Sequence, residues 1–534
     1  MDQDTARIGA QELDHESPRN GKTIVDQEKQ DVEAGQNDDT NPAPVKVPRS
    51  QRRGLFGRFI IFAEVEEPKN YPRRTKWFIT FVIALAAAAA PLGSNIIFPS
   101  LLQISNDLHT TPTITNFSAA FYLLSMSIFP LWWSSFSETL GRRTIYLASF
   151  TLFLLWNILA AISDNIAMLI FMRILGGGAA ASVQAVGAGT IADIWEVRER
   201  GKAMGIFYLG PLCGPLFAPI IGGALAGKFG WRSTQWFLAI YGSVILVLLF
   251  LALPETLKAT DTPATDAGKK VSNNRPALNR TASRVSSIQV KTKWYLRMGR
   301  RFFIDPLKII LYLRFPAVLI TVYYASITYG SLYLLNVSLQ MTFSTSPYNF
   351  SVIIVGLCYI PNSIGYVLAS LFGGKWNDII MAKEARKAGR YEADGQLDYR
   401  PEDRMRENAW LAAFLYPSAL IWYGWTAQKG IIWPVPLLAN FFFGIGSMLI
   451  FSMSTTMLTE FMPKKASEGV ALNNFVRNIF SFIGAIVAQP LISAIGNGWV
   501  FTGMGAIAVS GGVVVWAMRR FGPRWRETMD RELE

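Results

Sequence analysis

Arg173 and Arg477 are the residues on which chemistry would turn. Each lies inside an apolar run long enough to cross a membrane, where a cation costs at least about 3 kcal/mol unless it faces protein or water. Gln184 follows Arg173 by eleven residues, three helical turns, so the two are expected to line one wall. Asn473 and Asn474 precede Arg477 by four and three residues and share its face, although asparagines in such helices also serve as interhelical glue. Asn95 and Asn440 are further cavity candidates. Tyr122, Tyr208, Tyr323, Tyr324, Tyr329, Tyr359, Phe441, Phe442 and Phe443 offer ring faces for a flat or cationic ligand, with packing and interface belts as the competing use.

What the apolar runs lack narrows the chemistry further. None holds Asp, Glu or His near its middle, and the two histidines, His15 and His109, fall outside them. The carboxylates closest to the runs, Glu138, Asp164, Asp193, Asp378 and Glu460, stand at their ends. An interior with two arginines and no embedded carboxylate is electropositive, which favours an organic anion or a neutral amphiphile over a polyamine. No metal-ligand cluster, nucleophile motif or phosphate-binding loop is present, so the chain reads as neither an enzyme nor an ATP-driven pump, and no cofactor is expected.

Two more constellations sit at the ends of runs or within them. In SSFSETLGRR, Glu138, Gly141, Arg142 and Arg143 place a carboxylate beside two guanidinium groups, suited to charge-assisted bonds against a neighbouring helix end. Two arginines holding a loop inside the cell would leave the same trace. GGKWNDIIMAK, with Asp378, echoes the pattern later in the chain. The segment from 205 to 223, GIFYLGPLCGPLFAPIIGG, carries five glycines, three prolines and no charge. In water it would not hold a helix, since glycine costs about 1 kcal/mol and proline about 3. In a bilayer the helix persists because unpaired backbone is costlier, and the small residues let backbones approach.

These residues need membrane helices to position them. Of 534 residues 51% are hydrophobic and 17% charged, against about 25% charged in soluble domains, so the chain is an integral membrane protein. The net charge of +13 does not indicate nucleic acid, because the bases lie between apolar runs. Cys213 and Cys358 lie within apolar segments and make no disulfide framework. No cleaved signal peptide is expected, since the first apolar run begins near Trp77.

Counting runs of about 20 apolar residues gives twelve spans: 77–98, 114–133, 144–163, 166–191, 203–226, 233–253, 315–339, 351–372, 409–427, 434–459, 469–493 and 499–518. Basic residues concentrate in alternate loops, with thirteen between 254 and 314 and eight between 373 and 408, which puts both termini in the cytoplasm. The expected organisation is a disordered tail over 1–75, a six-helix bundle over 76–253, a basic linker over 254–314, a second bundle over 315–518 and a tail over 519–534. The linker stretch 294–313 reads either as an amphipathic helix on the anionic leaflet or as a solvated loop.

The motifs together resemble the major facilitator superfamily, in particular its twelve-span drug:proton antiporter branch and the fungal quinidine- and polyamine-resistance exporters. Residues 134–143 match the superfamily loop G-x-L-x-D-x-x-G-R-R in register, with Glu138 at the acidic position and Ser134 and Phe136 as departures. Arg173 with Gly177 fits the fourth-span motif. Gly205, Gly214, Pro219, Gly222 and Gly223 fit the fifth-span antiporter motif, with Ala218 where a glycine is expected. PLGSNIIFPSL in the first span, Pro254-Glu255-Thr256 after the sixth, Pro401-Glu402-Asp403-Arg404 before the ninth and NNFVRNIFSFIG in the eleventh extend the likeness over about 75–520.

The resemblance implies two six-helix bundles with alternating access, a gating latch at Glu138, Gly141, Arg142, Arg143 and Asp378, and export of drugs, toxic metabolites or polyamines against a proton gradient. It implies a monomer in the plasma membrane whose partners are a small-molecule substrate and the bilayer. The organic-anion exporter indicated by the charges, sugar-porter-like uptake and a nontransporting sensor are the rivals. Within this reading the fifth span packs inside the first bundle and seals the cavity.

Overall fold

The computed structural model describes residues 45–257, 305–391, 407–462 and 466–533. Among them the regular structure is helical, and the strand-like pairing is one isolated antiparallel bridge, Lys46 with Val65. Lipid offers backbone groups no hydrogen-bond partner, so each crossing closes its own ladder. The first five crossings are Arg73–Asn95, Pro112–Leu140, Arg142–Ala161, the pair Ile166–Ala180 and Ser182–Ile194, and Val197–Phe229. The sixth to tenth are Arg232–Ala252, Pro316–Ser344, the pair Val352–Leu357 and Ile360–Lys387, Glu407–Gln428 and Pro434–Phe461.

The last helical run, Ala466–Leu533, contains two crossings. Gly496 breaks it with φ 78° and ψ 163°, a left-handed-side conformation that glycine adopts without a Cβ penalty. The seventh span proves the reversal, since Gly330 lies against Gly484 and Tyr324 against Gly511. Among the described residues ten helical segments are long and apolar enough to cross a membrane, and one of them, Glu468–Met529, is this doubled run. With the ninth, Glu407–Gln428, the count is twelve, as the sequence predicts. Because the number is even, the chain enters and leaves on one face, the terminal face; the opposite one is the far face.

The first span packs on the fifth, the second on the fourth and the third on the sixth. In the second bundle the seventh packs on the eleventh and twelfth, and the eighth on the tenth. The bundles meet where the fifth span lies on the eighth and the second on the eleventh. Large apolar side chains such as Phe171, Ile240, Phe414, Trp499 and Val513 stay exposed on the outside, the lipid-facing belt of such a fold.

Several boundaries differ from the hydropathy reading. The second helix runs on to Leu140, the eighth span to Lys387, and the last helix through the expected tail to Leu533. Hydropathy marks where lipid ends, whereas a helix continues past it wherever polar residues keep helical propensity. Part of the expected N-terminal tail is also ordered. Residues 46–72 fold against the first bundle through Arg53 paired with the fully buried Glu64 at 2.7 Å and Ile61 N–H donating to Leu251 O at 2.9 Å. Phe56 and Phe59 pack on the ring of Phe250. These apolar anchors are spread thinly through a charged stretch, so composition alone reads as disorder. Residues 1–44 and 258–304 lie outside the described residues; the remainder of the linker, Asp305–Arg314, is a 3-10 helix whose Tyr312 hydroxyl donates to Glu468.

Candidate functional site

Arg173 stands in the fourth span on a helix started by Asn165, whose Oδ1 accepts from Met168 N–H at 2.8 Å. It is buried. Its Nη1 donates to Gly93 O at 2.8 Å, its Nε to Ser118 O at 3.4 Å, and its guanidinium lies 4.3 Å from the Tyr122 ring centre. Gly93 belongs to the last turn of the first helix, where carbonyls have no intrahelical partner, so the arginine satisfies an orphan acceptor. Gly177 lets the second span approach, because a side chain there would collide with Tyr122 and Ser125. Arg173 thus ties three helices together, with Nη2 left unpartnered.

Between Arg173 and Gln184 the chain stays in the right-handed helical region, with Ala181 at φ −70° and ψ −12°. The fourth span tightens at Ala181, between its two helices, where Ala181 N–H donates to Gly177 O at 3.1 Å and Gln184 N–H to Ala181 O at 3.2 Å. Gln184 is partly buried with Oε1 unpartnered. Asn95 is spent at the far-face closure: its Nδ2 donates to Pro91 O and Ser94 Oγ, both at 2.9 Å, and its Oδ1 accepts from Asn336 Nδ2 at 3.4 Å. Beside it Ser94 Oγ and Tyr333 Oη lie 3.2 Å apart, so the first and seventh spans join here across the bundles.

Arg477 stands in the second bundle with Asn473 and Asn474 on its face. The guanidinium lies 4.1 Å from the Tyr329 ring centre and 5.9 Å from that of Phe451. Its Nε is buried without a partner, as are Asn473 Oδ1 and both side-chain polar atoms of Asn440. Tyr208, from the fifth span, and Tyr366, from the eighth, lie within electrostatic range of the charge. Among the described residues the middle of every span is free of Asp, Glu and His, as the sequence indicates.

At the terminal face the charges are arranged differently from the expected latch. Glu138 is exposed and has no ion pair among the described residues. The carboxylates that hold the motif arginines are Asp193 and Glu255. Arg142 Nε donates to Asp193 Oδ2 at 3.1 Å and its Nη1 to Ser137 Oγ at 2.6 Å. The main-chain N–H groups of Arg142 and Arg143, the first residues of the third helix, donate to Glu255 at 2.9 and 3.3 Å. The carboxylate therefore caps a helix N-terminus where donors are otherwise orphaned. Gly141, at φ 92°, makes the turn that exposes them.

Arg143 is fully buried and spends its fork on carbonyls: Leu249 at 3.2 Å, Phe250 at 2.8 Å, Leu253, and Leu55 and Phe56 of the ordered pre-span segment at 2.9 and 3.4 Å. Burial raises the Glu255 pKa, against the backbone N–H groups and Arg53, which pull it down. The side chain of Asp378 lies outside the described residues. Sequence names Asp193 as a span-end carboxylate and Glu255 as part of Pro-Glu-Thr; it does not show that both converge on Arg142, Asp193 from the end of the fourth span and Glu255 from just past the sixth.

The fifth-span motif is a joint on two sides. A Cβ at Gly210, Gly214 or Gly222 would strike Ala84 O, Pro91 or Ile96 O of the first span and its end, so the packing expected inside the bundle is present. A Cβ at Gly223 would instead meet Val352 O and Gly356 of the eighth span, each at 2.9 Å, which carries the motif across to the other bundle. Ala218 and Pro219 are buried, and the Pro219 carbonyl faces Gly356. Gly205 has open space around it and takes no part in close packing.

Residues 83–485 match the Major Facilitator Superfamily. The chain belongs to that family. It is a membrane transporter and not an enzyme. It is 35% identical to MFS antiporter QDR3 of Candida albicans over 91% of this chain and 83% of that protein. It is 29% identical to Quinidine resistance protein 3 of Saccharomyces cerevisiae over 91% of this chain and 88% of that one. Among solved structures, a D-xylose-proton symporter superposes with a TM-score of 0.59 at 16% identity, covering 82% of this transporter and 97% of its own chain, a likeness of fold.

Proposed function

We propose that this transporter exports small organic molecules across the plasma membrane in exchange for protons, by alternating access between the two bundles. The observation that carries the reading is the double-sided glycine joint of the fifth span, whose motif packs on the first span and then, at Gly223, on Gly356 of the other bundle. A rocking pair of bundles needs such close backbone contact to shut one face. Far-face bonds at Ser94–Tyr333 and Asn95–Asn336 form the matching closure. The names of the two fungal relatives, an antiporter and a quinidine resistance protein, agree with export.

The basic residues gather at the terminal face, which makes that face cytoplasmic. The proton gradient supplies the energy and no cofactor takes part. The working unit is one chain in the bilayer. The test is uptake of quinidine and a wider drug panel into liposomes bearing the purified full chain, with and without an imposed pH gradient. Gradient-driven uptake abolished by a protonophore is expected. Uptake indifferent to the gradient removes proton exchange, and no uptake of any compound removes export.

A further inference from the structure

Four arginines are deeply placed in this molecule, and three of them donate side-chain hydrogen bonds, Arg173 with only its Nη2 left over. Arg142 is paired with Asp193, Arg143 is spent on five carbonyls, and Arg173 on two carbonyls and a ring. Arg477 has ring faces and no hydrogen-bond acceptor for its side chain among the described residues. Stacking satisfies the face of a guanidinium. It leaves the in-plane N–H groups, five in a fixed fork, without acceptors.

Its depth makes that vacancy costly. Arg477 is nine residues beyond Glu468, about 13 Å along the helix and so near the middle of a hydrocarbon core about 30 Å thick. A cation there needs a partner charge or water, and no Asp or Glu of the described residues lies at that level. The surroundings are aromatic: Tyr329 and Phe451 meet ring to ring at 5.1 Å, Tyr366 and Phe451 at 6.2 Å, and Tyr208 approaches from the opposite bundle. Asn473, one turn before Arg477, presents an unpartnered Oδ1.

We propose that Arg477 is a carboxylate clamp and that this transporter's substrates include planar aromatic acids. The proposal rests on the transporter reading and names its substrate class. A carboxylate matches the guanidinium fork through two parallel N–H···O bonds. An attached ring lies among Tyr329, Phe451 and Tyr366 in offset or edge-on contact. The clamp stands where the bundles face each other, since Ser127 of the second span donates to Phe475 O, two residues before Arg477, at 2.7 Å. A polyamine finds no carboxylate at this depth and meets a like charge instead.

The test uses three probes sharing one ring system, 1-naphthoate, 1-naphthamide and 1-naphthylmethylamine, with the purified full chain in detergent and in liposomes. Binding is read by ligand-induced thermal shift and by quenching of intrinsic fluorescence, flux by uptake. The acid is expected to bind at least about tenfold tighter than the amide, and the amine weakest. Arg477→Gln should remove the preference for the acid while leaving amide binding within about twofold, and Arg477→Lys should keep part of it. Equal or tighter binding of the amide or amine by the unaltered protein overturns the clamp, a result that needs no variant to fold. So does an unchanged acid preference in Arg477→Gln. Selective binding of the acid without any flux keeps the clamp and overturns export, whereas drug flux without acid preference keeps export and overturns the clamp.

Discussion

Gly223 and Gly356 bring the backbones of the fifth and eighth spans together so closely that a Cβ on Gly223 would stand 2.9 Å from the Gly356 Cα. Backbone cannot give way as a flexible side chain can, so Gly223→Val must separate the two bundles at this point. We expect it to reduce flux in liposomes at least about fivefold, as about 1–3 kcal/mol of overpacking falls on the closed arrangement. Gly205→Val, where nothing stands within 4 Å, should leave flux within twofold. Equal flux in the two variants would remove the joint from the transport cycle.

At the terminal face the sensitive carboxylate is Asp193, not Glu138. Asp193→Asn removes a part-buried ion pair with Arg142, and we expect a loss of about 1–3 kcal/mol, below the range for fully buried pairs because Asp193 is still partly hydrated. Glu138→Gln should stay within about 0.5 kcal/mol. Denaturation of both variants in matched detergent decides between them, and the reverse order would restore the latch as first read from the motif.

How much of this was legible in the chain differs from residue to residue. Twelve crossings follow from run length and composition, and the motif arginines announce themselves by standing where charge is expensive. Their partners do not. Arg173 meets Gly93 O and Arg143 meets Leu253 O, main-chain acceptors that any residue supplies, so no residue type marks them. The tightening of the fourth span at Ala181 falls in a Gly/Ala-rich stretch without a proline to announce it. The ordered segment before the first span escapes composition altogether, since a few aromatic anchors and one buried ion pair hold it.

Arg173→Ala leaves Gly93 O and Ser118 O without their donor and Tyr122 without its cation. We expect a stability loss of about 2–4 kcal/mol together with loss of flux, since a buried acceptor is orphaned and a desolvated cation–π contact removed. Tyr122→Phe keeps the ring and discards a hydroxyl that has no partner, so it should behave nearly as the unaltered protein. Normal thermal stability of Arg173→Ala with abolished flux would show a purely transport role for this arginine.

Glu255 provides a pH signature. Its folded pKa is raised by burial, so the folded state keeps a proton that the unfolded chain gives up. The associated stability is complete below the ordinary carboxylate range and is lost as pH rises through the raised value. Glu255→Gln should flatten the decline in melting temperature that sets in above the ordinary carboxylate range, because an amide has no proton to lose there. A slope identical to that of the unaltered protein would assign the decline to other groups.

The pre-span segment makes the last prediction. Gly54 sits at φ 79°, 3.2 Å at its would-be Cβ from both Arg143 Cδ and Glu255 Oε2, and the next two residues give their carbonyls to Arg143. Gly54→Ala adds left-handed strain of about 1–2 kcal/mol and presses on that arginine. The strain is relieved by lifting residues 52–59 away from Phe250, which opens the half-buried Arg52 and Arg53 to trypsin beside the already exposed Arg58. We expect limited digestion there to speed up about tenfold relative to the unaltered protein, with the membrane bundles uncut on the same timescale. An unchanged digestion rate would mean that Arg143 and the aromatic contacts hold the segment without help from the glycine turn.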